Sequence, residues 1–233
     1  MSAHRNLNIT GVGTLIAMIL AAGRGERMRP LTDTIPKPLI EVAGKPLIIH
    51  QIESLGLAGI ETIVINTGRM GDQIQYHLGT GESLGVSILY SEEGDDPLET
   101  AGGIVKALPL LGTEPFIVAN ADIYSDFDYQ TLPENLDSDA HLVLVANPPH
   151  NPSGDFVLEK GQLQNEGSMK LTYSGIGLYS PQFFKDCSPG KLPLAPLLRQ
   201  SAQRHRLSGQ YFTGLWSDIG TPERLDEVNK IKG

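Results

Sequence analysis

Leu15-Ile16-Ala17-Met18-Ile19-Leu20 is an unbroken apolar run, and a strand exposed on one face would alternate instead, so the pattern predicts a strand buried on both faces of a parallel sheet. Leu47 to Leu57 carries apolar residues at helical spacing, and Gly59 breaks it before the β-branched strand Thr62-Ile63-Val64-Ile65-Asn66. A second helix over Met70 to Leu78 leads to the strand Ser87-Ile88-Leu89-Tyr90. A third over Thr100 to Leu110 leads to the strand Pro115 to Asn120. This β-α-β-α-β rhythm predicts an α/β fold with a Rossmann-like, mostly parallel sheet flanked by helices. Leu142 to Val145 is a further strand. From Asp155 the texture loosens into short strands, Phe156-Val157-Leu158 and Ser174 to Tyr179, which predicts a smaller mixed β lobe. Helices resume at Leu194 to Gln203 and Pro222 to Ile231, with Tyr211 to Ser217 strand-like between them.

The 233 residues hold no long polar linker, so residues 14–233 are expected to form a single domain behind an irregular leader, MSAHRNLNITGVG, over residues 1–13. No apolar run approaches the roughly 18 to 20 residues that span a bilayer, which argues against a membrane protein. The formal net charge of −9 argues against nucleic acid as a partner, since that would call for a basic stripe. A nucleotide is still compatible with it, provided that basic groups are concentrated locally and a divalent cation shares the neutralisation. The single cysteine, Cys187, excludes an internal disulfide and fits a reducing cytoplasm. None of the six histidines stands at a metal-ligand or nucleophile spacing, and all are read as ordinary polar residues.

Basic groups are concentrated directly after the first strand, in the segment Leu20 to Leu39, LAAGRGERMRPLTDTIPKPL. It leaves the carboxyl end of a strand, where ligands collect in open α/β sheets. Gly23 and Gly25 lack a Cβ, so the backbone can take positive φ and bring N–H groups to an anion. Arg24, Arg27 and Arg29 offer permanently charged donor forks that match phosphate oxygens. Pro36 and Pro38 restrict the chain around Lys37, which therefore presents a fixed point charge. The loop is neither of two better-known glycine loops. No lysine comes after Gly23 or Gly25 at the P-loop spacing, and Met28 stands where the third glycine of G-x-G-x-x-G belongs.

The whole string resembles the signature of the sugar-1-phosphate nucleotidyltransferases, and Glu41-Val42-Ala43-Gly44-Lys45-Pro46-Leu47-Ile48 continues the likeness. The resemblance runs over roughly residues 15 to 231. It implies a GT-A-like nucleotidyltransferase fold whose second lobe faces the sugar. It also implies a reaction in which a sugar 1-phosphate attacks the α-phosphorus of a nucleoside triphosphate and pyrophosphate leaves. Arg27 and Lys37 are then the catalytic candidates. Leu20, Ala21, Ala22, Gly23, Arg24 and Gly25 would surround the nucleotide, joined by Asn120 and, from the base-reading segment EEGDDPLETAGG, by Glu92, Thr100 and Gly102. Thr100 is also a candidate helix N-cap. Glu99 stands where many relatives have glycine. Asp122 in Asn120-Ala121-Asp122 and Asp218 in Trp216-Ser217-Asp218-Ile219-Gly220-Thr221-Pro222 match the family's two metal aspartates. A pair of hard oxygen donors selects Mg²⁺ over Zn²⁺.

Gly154, Glu166 and Gly175 are the candidate sugar contacts, Gly175 within Tyr173-Ser174-Gly175-Ile176-Gly177, although glycines there also suit a bulge or tight packing. A Glu-Lys-Pro triplet seen in several relatives is absent: Glu159-Lys160 is followed by Gly161, and Lys170 is an alternative, so a second phosphate-binding lysine stays unassigned. No hexapeptide repeat is present, so neither acetyl transfer nor β-helix assembly is implied, and a monomer or small homo-oligomer is expected. Length, L-E-T-A-G-G and Leu194-Ala195-Pro196-Leu197-Leu198 resemble most the short N-acetylmuramate 1-phosphate uridylyltransferases of peptidoglycan recycling, with UTP as nucleotide. The alternatives are a mannose- or heptose-1-phosphate guanylyltransferase, or a non-catalytic nucleotide-sugar sensor.

Overall fold

Ala17, Met18 and Ile19 are all fully buried, and successive residues enter different cores. Ala17 and Ile19 pack in a cluster with Ile48, Ile52 and Leu55, whereas Met18 packs with Ala101, Ile104 and Ala107. The expected two-sided burial thus arises because a helix covers each face of the sheet. These features come from a computed structural model that describes residues 15–232. The expected leader, residues 1–13, lies outside the described residues.

In chain order the early strands are β1 (Ile16–Leu20), β2 (Glu41–Val42), β3 (Lys45–Pro46), β4 (Thr62–Thr67), β5 (Ser87–Glu92), β6 (Phe116–Asn120) and β7 (Ile123–Ser125). They are followed by β8 (Ala140–Val145), β9 (Phe156–Glu159), β10 (Gln162–Gln164), β11 (Lys170–Tyr179), β12 (Leu207–Tyr211) and β13 (Trp216–Asp218). The α-helices are α1 (Leu47–Leu57), α2 (Gly71–Leu78), α3 (Glu99–Leu111), α4 (Leu194–Gln203) and α5 (Pro222–Lys232). Nine strands form one sheet in the order β5-β4-β1-β6-β11-β8-β12-β10-β9. The half from β5 to β6 is parallel, as the β-α-β rhythm requires. Beyond it β11 runs antiparallel to β6 and β8, while β8 and β12 pair in parallel. The sheet is therefore mixed, and the smaller lobe is its continuation rather than a separate layer.

The chain winds from β1 outward through β4 to β5, then returns to β6 on the other side of β1. The reversal makes the β1/β6 boundary a topological switch point, where a crevice opens beyond the strand ends. Leu20 closes β1 in register with Asn66 of β4 on one side and Asn120 of β6 on the other.

Three local expectations change. The run Tyr211 to Ser217 is two strands, because Phe212 turns inward to meet Phe127 edge-on at 5.3 Å between ring centroids and β13 leaves to pair with β7. Helix α3 starts at Glu99 with Leu98 at its N-cap and no side-chain cap, so Thr100 is not the capping residue. Strand β11 starts at Lys170, well before Ser174, because its first residues pair with β9 and β8 ahead of a register shift between Tyr173 and Gly177.

Candidate active site

At the switch point lies a cavity of about 520 Å³, within the range of small-molecule sites. Eight consecutive residues, Leu20 to Arg27, form one wall, and Lys37 and Asn120 to Asp122 face it from the β6 side. Ala121 N donates to Leu20 O at 3.0 Å, which fixes the two strand exits side by side.

The loop's shape is set by a few contacts. Gly25 takes the left-handed conformation, φ 65°, and a Cβ there would stand 2.9 Å from Thr32 Cγ2 and 3.2 Å from Lys37 Cβ. Glycine is therefore demanded twice, by backbone angle and by space. Thr32 Oγ1 and Met28 N both donate to Gly25 O, each at 2.8 Å. Gly23 does not share the positive φ, and a Cβ built on it meets nothing within 4 Å, so its freedom is toward the cavity. Met28, where a dinucleotide loop would have glycine, is fully buried with Ile40, Val42, Leu47, Ile219 and Val228. It pins the loop to the segment after Asp218.

Lys37 opens a short 3₁₀ turn between Pro36 and Pro38 and is only 11% exposed at its side chain. Its Nζ donates to Asp122 Oδ2 at 2.5 Å. Strand β13 pairs with β7 so that Asp218 lies opposite Ile123, and Ile219 N donates to Asp122 O at 2.8 Å. Two aspartates far apart in sequence thus become neighbours through a three-residue ladder. Asp218 is held by Arg224, whose guanidinium bonds its Oδ2, and by His150, whose Nε2 lies 3.2 Å from Oδ1. His150, read from sequence as an ordinary polar residue, is therefore part of the site's surroundings. Of the other arginines, Arg24 lines the cavity and donates to Asp95 O at 3.0 Å. Arg27 lines it with no ion pair or side-chain hydrogen bond among the described residues. Arg29 is turned away, paired with Asp33 at 3.3 Å.

A second cavity, about 480 Å³, adjoins the first and shares Glu99, Thr100 and Asn120 with it. The three sugar-contact candidates stand differently to it. Gly175, φ 82°, lies at the register shift of β11, and a Cβ there would stand 2.6 Å from Asn120 Nδ2, so it makes room for the asparagine shared by both cavities. Gly154, φ 60°, turns the chain against Asn147 and Lys170, and its neighbours Asp155 and Phe156 line the cavity in its place. Glu166 is exposed on the turn after β10 and lines neither cavity. Neither Lys160 nor Lys170 lines either cavity.

A family profile described as Nucleotidyl transferase matches residues 16–163, which include the loop, Lys37 and Asp122. The chain belongs to the nucleotidyl transferase family. It is 51% identical over 228 residues to an N-acetylmuramate alpha-1-phosphate uridylyltransferase of Neisseria meningitidis serogroup B, covering 93% of this chain and 98% of that one. It is 37% identical over 226 residues to a protein of the same name from Caulobacter vibrioides, covering 89% of this chain and 93% of that one. Among solved structures it is similar to a Bacillus anthracis protein crystallised with sucrose and described as a glucose-1-phosphate thymidylyltransferase. The TM-score is 0.81 and the identity 25%, over 93% of this chain and 95% of that one.

One hydrogen-bonded chain ties the glycine-arginine loop of this nucleotidyl transferase to the segment beyond β5. Ala21 N donates to Asn66 Oδ1 at 2.8 Å, Asn66 Nδ2 donates to Glu93 Oε1 at 2.6 Å, and Leu98 N donates to Glu93 Oε2 at 2.8 Å. Glu93 lines the main cavity, whereas Glu92, the candidate from sequence, points away and accepts from Gln75 Nε2 at 2.8 Å. The sequence does not separate the two: β5 ends at Glu92, and its buried residues Ile88 and Ser91 are three apart, so alternation along the strand does not single out residue 93. Gly102, another candidate from sequence, lines neither cavity. Its N donates to Leu192 O at 3.0 Å, and a Cβ would overlap Gly190 O, so this glycine admits the 190–192 loop.

Gly103 plays the corresponding part for the network, since a Cβ there would overlap Glu93 Oε1 and stand 2.9 Å from Asn66 Nδ2. Gly103→Ala should gain helix propensity and yet lose stability, because overpacking a fixed polar network costs about 1–3 kcal/mol. A thermal melt several degrees below wild type is the expected result; an equal or higher Tm means that Glu93 moves aside freely.

Proposed function

We propose that this nucleotidyl transferase joins UTP to N-acetylmuramate 1-phosphate, giving the UDP-sugar and pyrophosphate. The observation that carries the reading is the convergence of Lys37 and Asp122 on a cavity walled by the glycine-arginine loop. The names of the two uridylyltransferase relatives support the substrate pair. A phosphate oxygen of the sugar 1-phosphate attacks the α-phosphorus and forms the new P–O bond. The bond from that phosphorus to the bridging oxygen breaks, and pyrophosphate leaves with the electron pair. The nucleophile is already an anion, so no general base is needed, and catalysis rests on positioning and charge neutralisation.

In this reading Arg27 and Lys37 neutralise the triphosphate, while Gly23 and Gly25 supply backbone N–H donors to it. Asp122 and Asp218 would hold Mg²⁺, which supplies charge neutralisation at the phosphate oxygens. The donor chemistry fits: the two candidates are hard carboxylate oxygens on adjacent paired segments, with Ile219 N donating to Asp122 O, and Mg²⁺ completes its shell with waters and phosphate oxygens. Chelation by EDTA should therefore bring pyrophosphate release to background and added Mg²⁺ should restore it; turnover that survives chelation contradicts the role given to the aspartates. Turnover with GTP and mannose 1-phosphate but not with UTP would keep the family and overturn the substrate.

The continuous sheet supports taking residues 14–233 as a single nucleotidyltransferase domain. No helix among the described residues is long and apolar enough to cross a membrane. With one cysteine and cytosolic substrates, a cytoplasmic enzyme acting as a monomer or small homo-oligomer in peptidoglycan recycling is the consistent placement.

A further inference from the structure

The second cavity contains chemistry that nucleotidyl transfer itself does not use. Its wall toward α4 is apolar, formed by Leu194, Ala195 and Leu198, and Phe156 closes it from β9. Leu194 with Leu198 and Ala195 with Arg199 are adjacent i, i+4 pairs, so one strip of α4 ends in a guanidinium at the cavity edge. Arg199 is the one cation among the residues that line this cavity.

Its donors are free. Arg206 is paired with Asp139, Arg224 with Asp218 and Arg24 with Asp96. The Arg199 side chain has no ion pair or hydrogen bond among the described residues, and only its carbonyl is used, accepting from Asn165 Nδ2 at 2.8 Å. Two carboxylates line the same cavity: Asp155 is already engaged, accepting from Tyr173 N at 2.8 Å and Asn151 Nδ2 at 3.3 Å, and Glu99 stands at the boundary shared with the first cavity. An anionic ligand group entering this space therefore has one permanently charged fork to meet, next to an apolar surface for its methyl groups.

N-acetylmuramate differs from N-acetylglucosamine by a lactyl ether, which adds one carboxylate and one methyl. We propose that Arg199 is a specificity-determining residue that binds the lactyl carboxylate while the Leu194/Leu198 wall takes the methyl. This inference rests on the substrate reading above. It places the phosphate end in the first cavity and the lactyl group in the second, across the shared Thr100 and Asn120.

The test is the ratio of kcat/KM for N-acetylmuramate 1-phosphate to that for N-acetylglucosamine 1-phosphate, with UTP, in wild type, Arg199→Met and Arg199→Lys. Arg199 is exposed and methionine is a good helix former, so the fold should persist. Wild type should favour the muramate. Arg199→Met should lower the ratio about 10- to 100-fold, the value of a charge-assisted bond, chiefly through KM for the muramate, and Arg199→Lys should recover part of it. A wild type that prefers the muramate and an Arg199→Met variant with the same ratio overturn this inference alone. A wild type with no preference overturns the substrate reading and the inference together.

Discussion

Lys37→Ala should lower kcat by on the order of 10² or more, as the loss of a transition-state charge partner does. The lysine is fixed by Pro36 and Pro38, nearly buried, and packed so close to Gly25 that a single Cβ there would crowd it. A charge held that rigidly costs no reorganisation when negative charge spreads over the reacting phosphates. Removing it also strands Asp122, whose carboxylate accepts from Nζ at 2.5 Å. The readout is steady-state pyrophosphate release at saturating substrates, with the KM for nucleotide changing less than kcat. Near wild-type turnover would remove Lys37 from the mechanism.

Asp122→Asn should have an effect of similar size by a different route. The substitution keeps the shape and removes the charge, so a divalent cation loses one of its two expected protein ligands, and turnover should demand far more Mg²⁺. Lys37 and Asp122 touch, so their effects should not add: the double variant should fall little below the worse single one. Unchanged Mg²⁺ dependence in Asp122→Asn contradicts metal binding at this carboxylate, and simple additivity in the double variant contradicts their acting as a unit. Asp218 is buttressed by Arg224 and His150, and the ladder to β7 keeps its backbone in place when the side chain is altered.

The parts of this site that are legible in the sequence are those set by local chemistry. The apolar run of β1, the glycines of the loop and the prolines around Lys37 each state their geometry within a few residues. The helix Leu47–Leu57 is likewise set by its own periodicity. The rest depends on residues that meet only after folding. His150 reaches Arg224 across 74 positions and Asp218 beside it, and nothing local marks that histidine. Gly102 reads as a nucleotide contact until the 190–192 segment packs on it. Glu92 reads as the candidate in place of Glu93 because the segment's likeness is carried by its composition, whereas the choice between adjacent residues is made by their partners, Gln75 for Glu92 and Asn66 for Glu93. The break after Tyr211 is hidden because Phe212 and Trp216 continue the apolar texture while the backbone changes partners.

The activity proposed for this site is synthesis of a UDP-sugar from UTP and N-acetylmuramate 1-phosphate. The most direct measurement is ³¹P NMR of the purified chain with Mg²⁺, UTP and that sugar phosphate. Equimolar pyrophosphate and a UDP-sugar diphosphate signal, growing as both substrates disappear, is the predicted result. UTP and sugar phosphate that remain unchanged, under conditions in which another nucleotide and sugar 1-phosphate react, would contradict it.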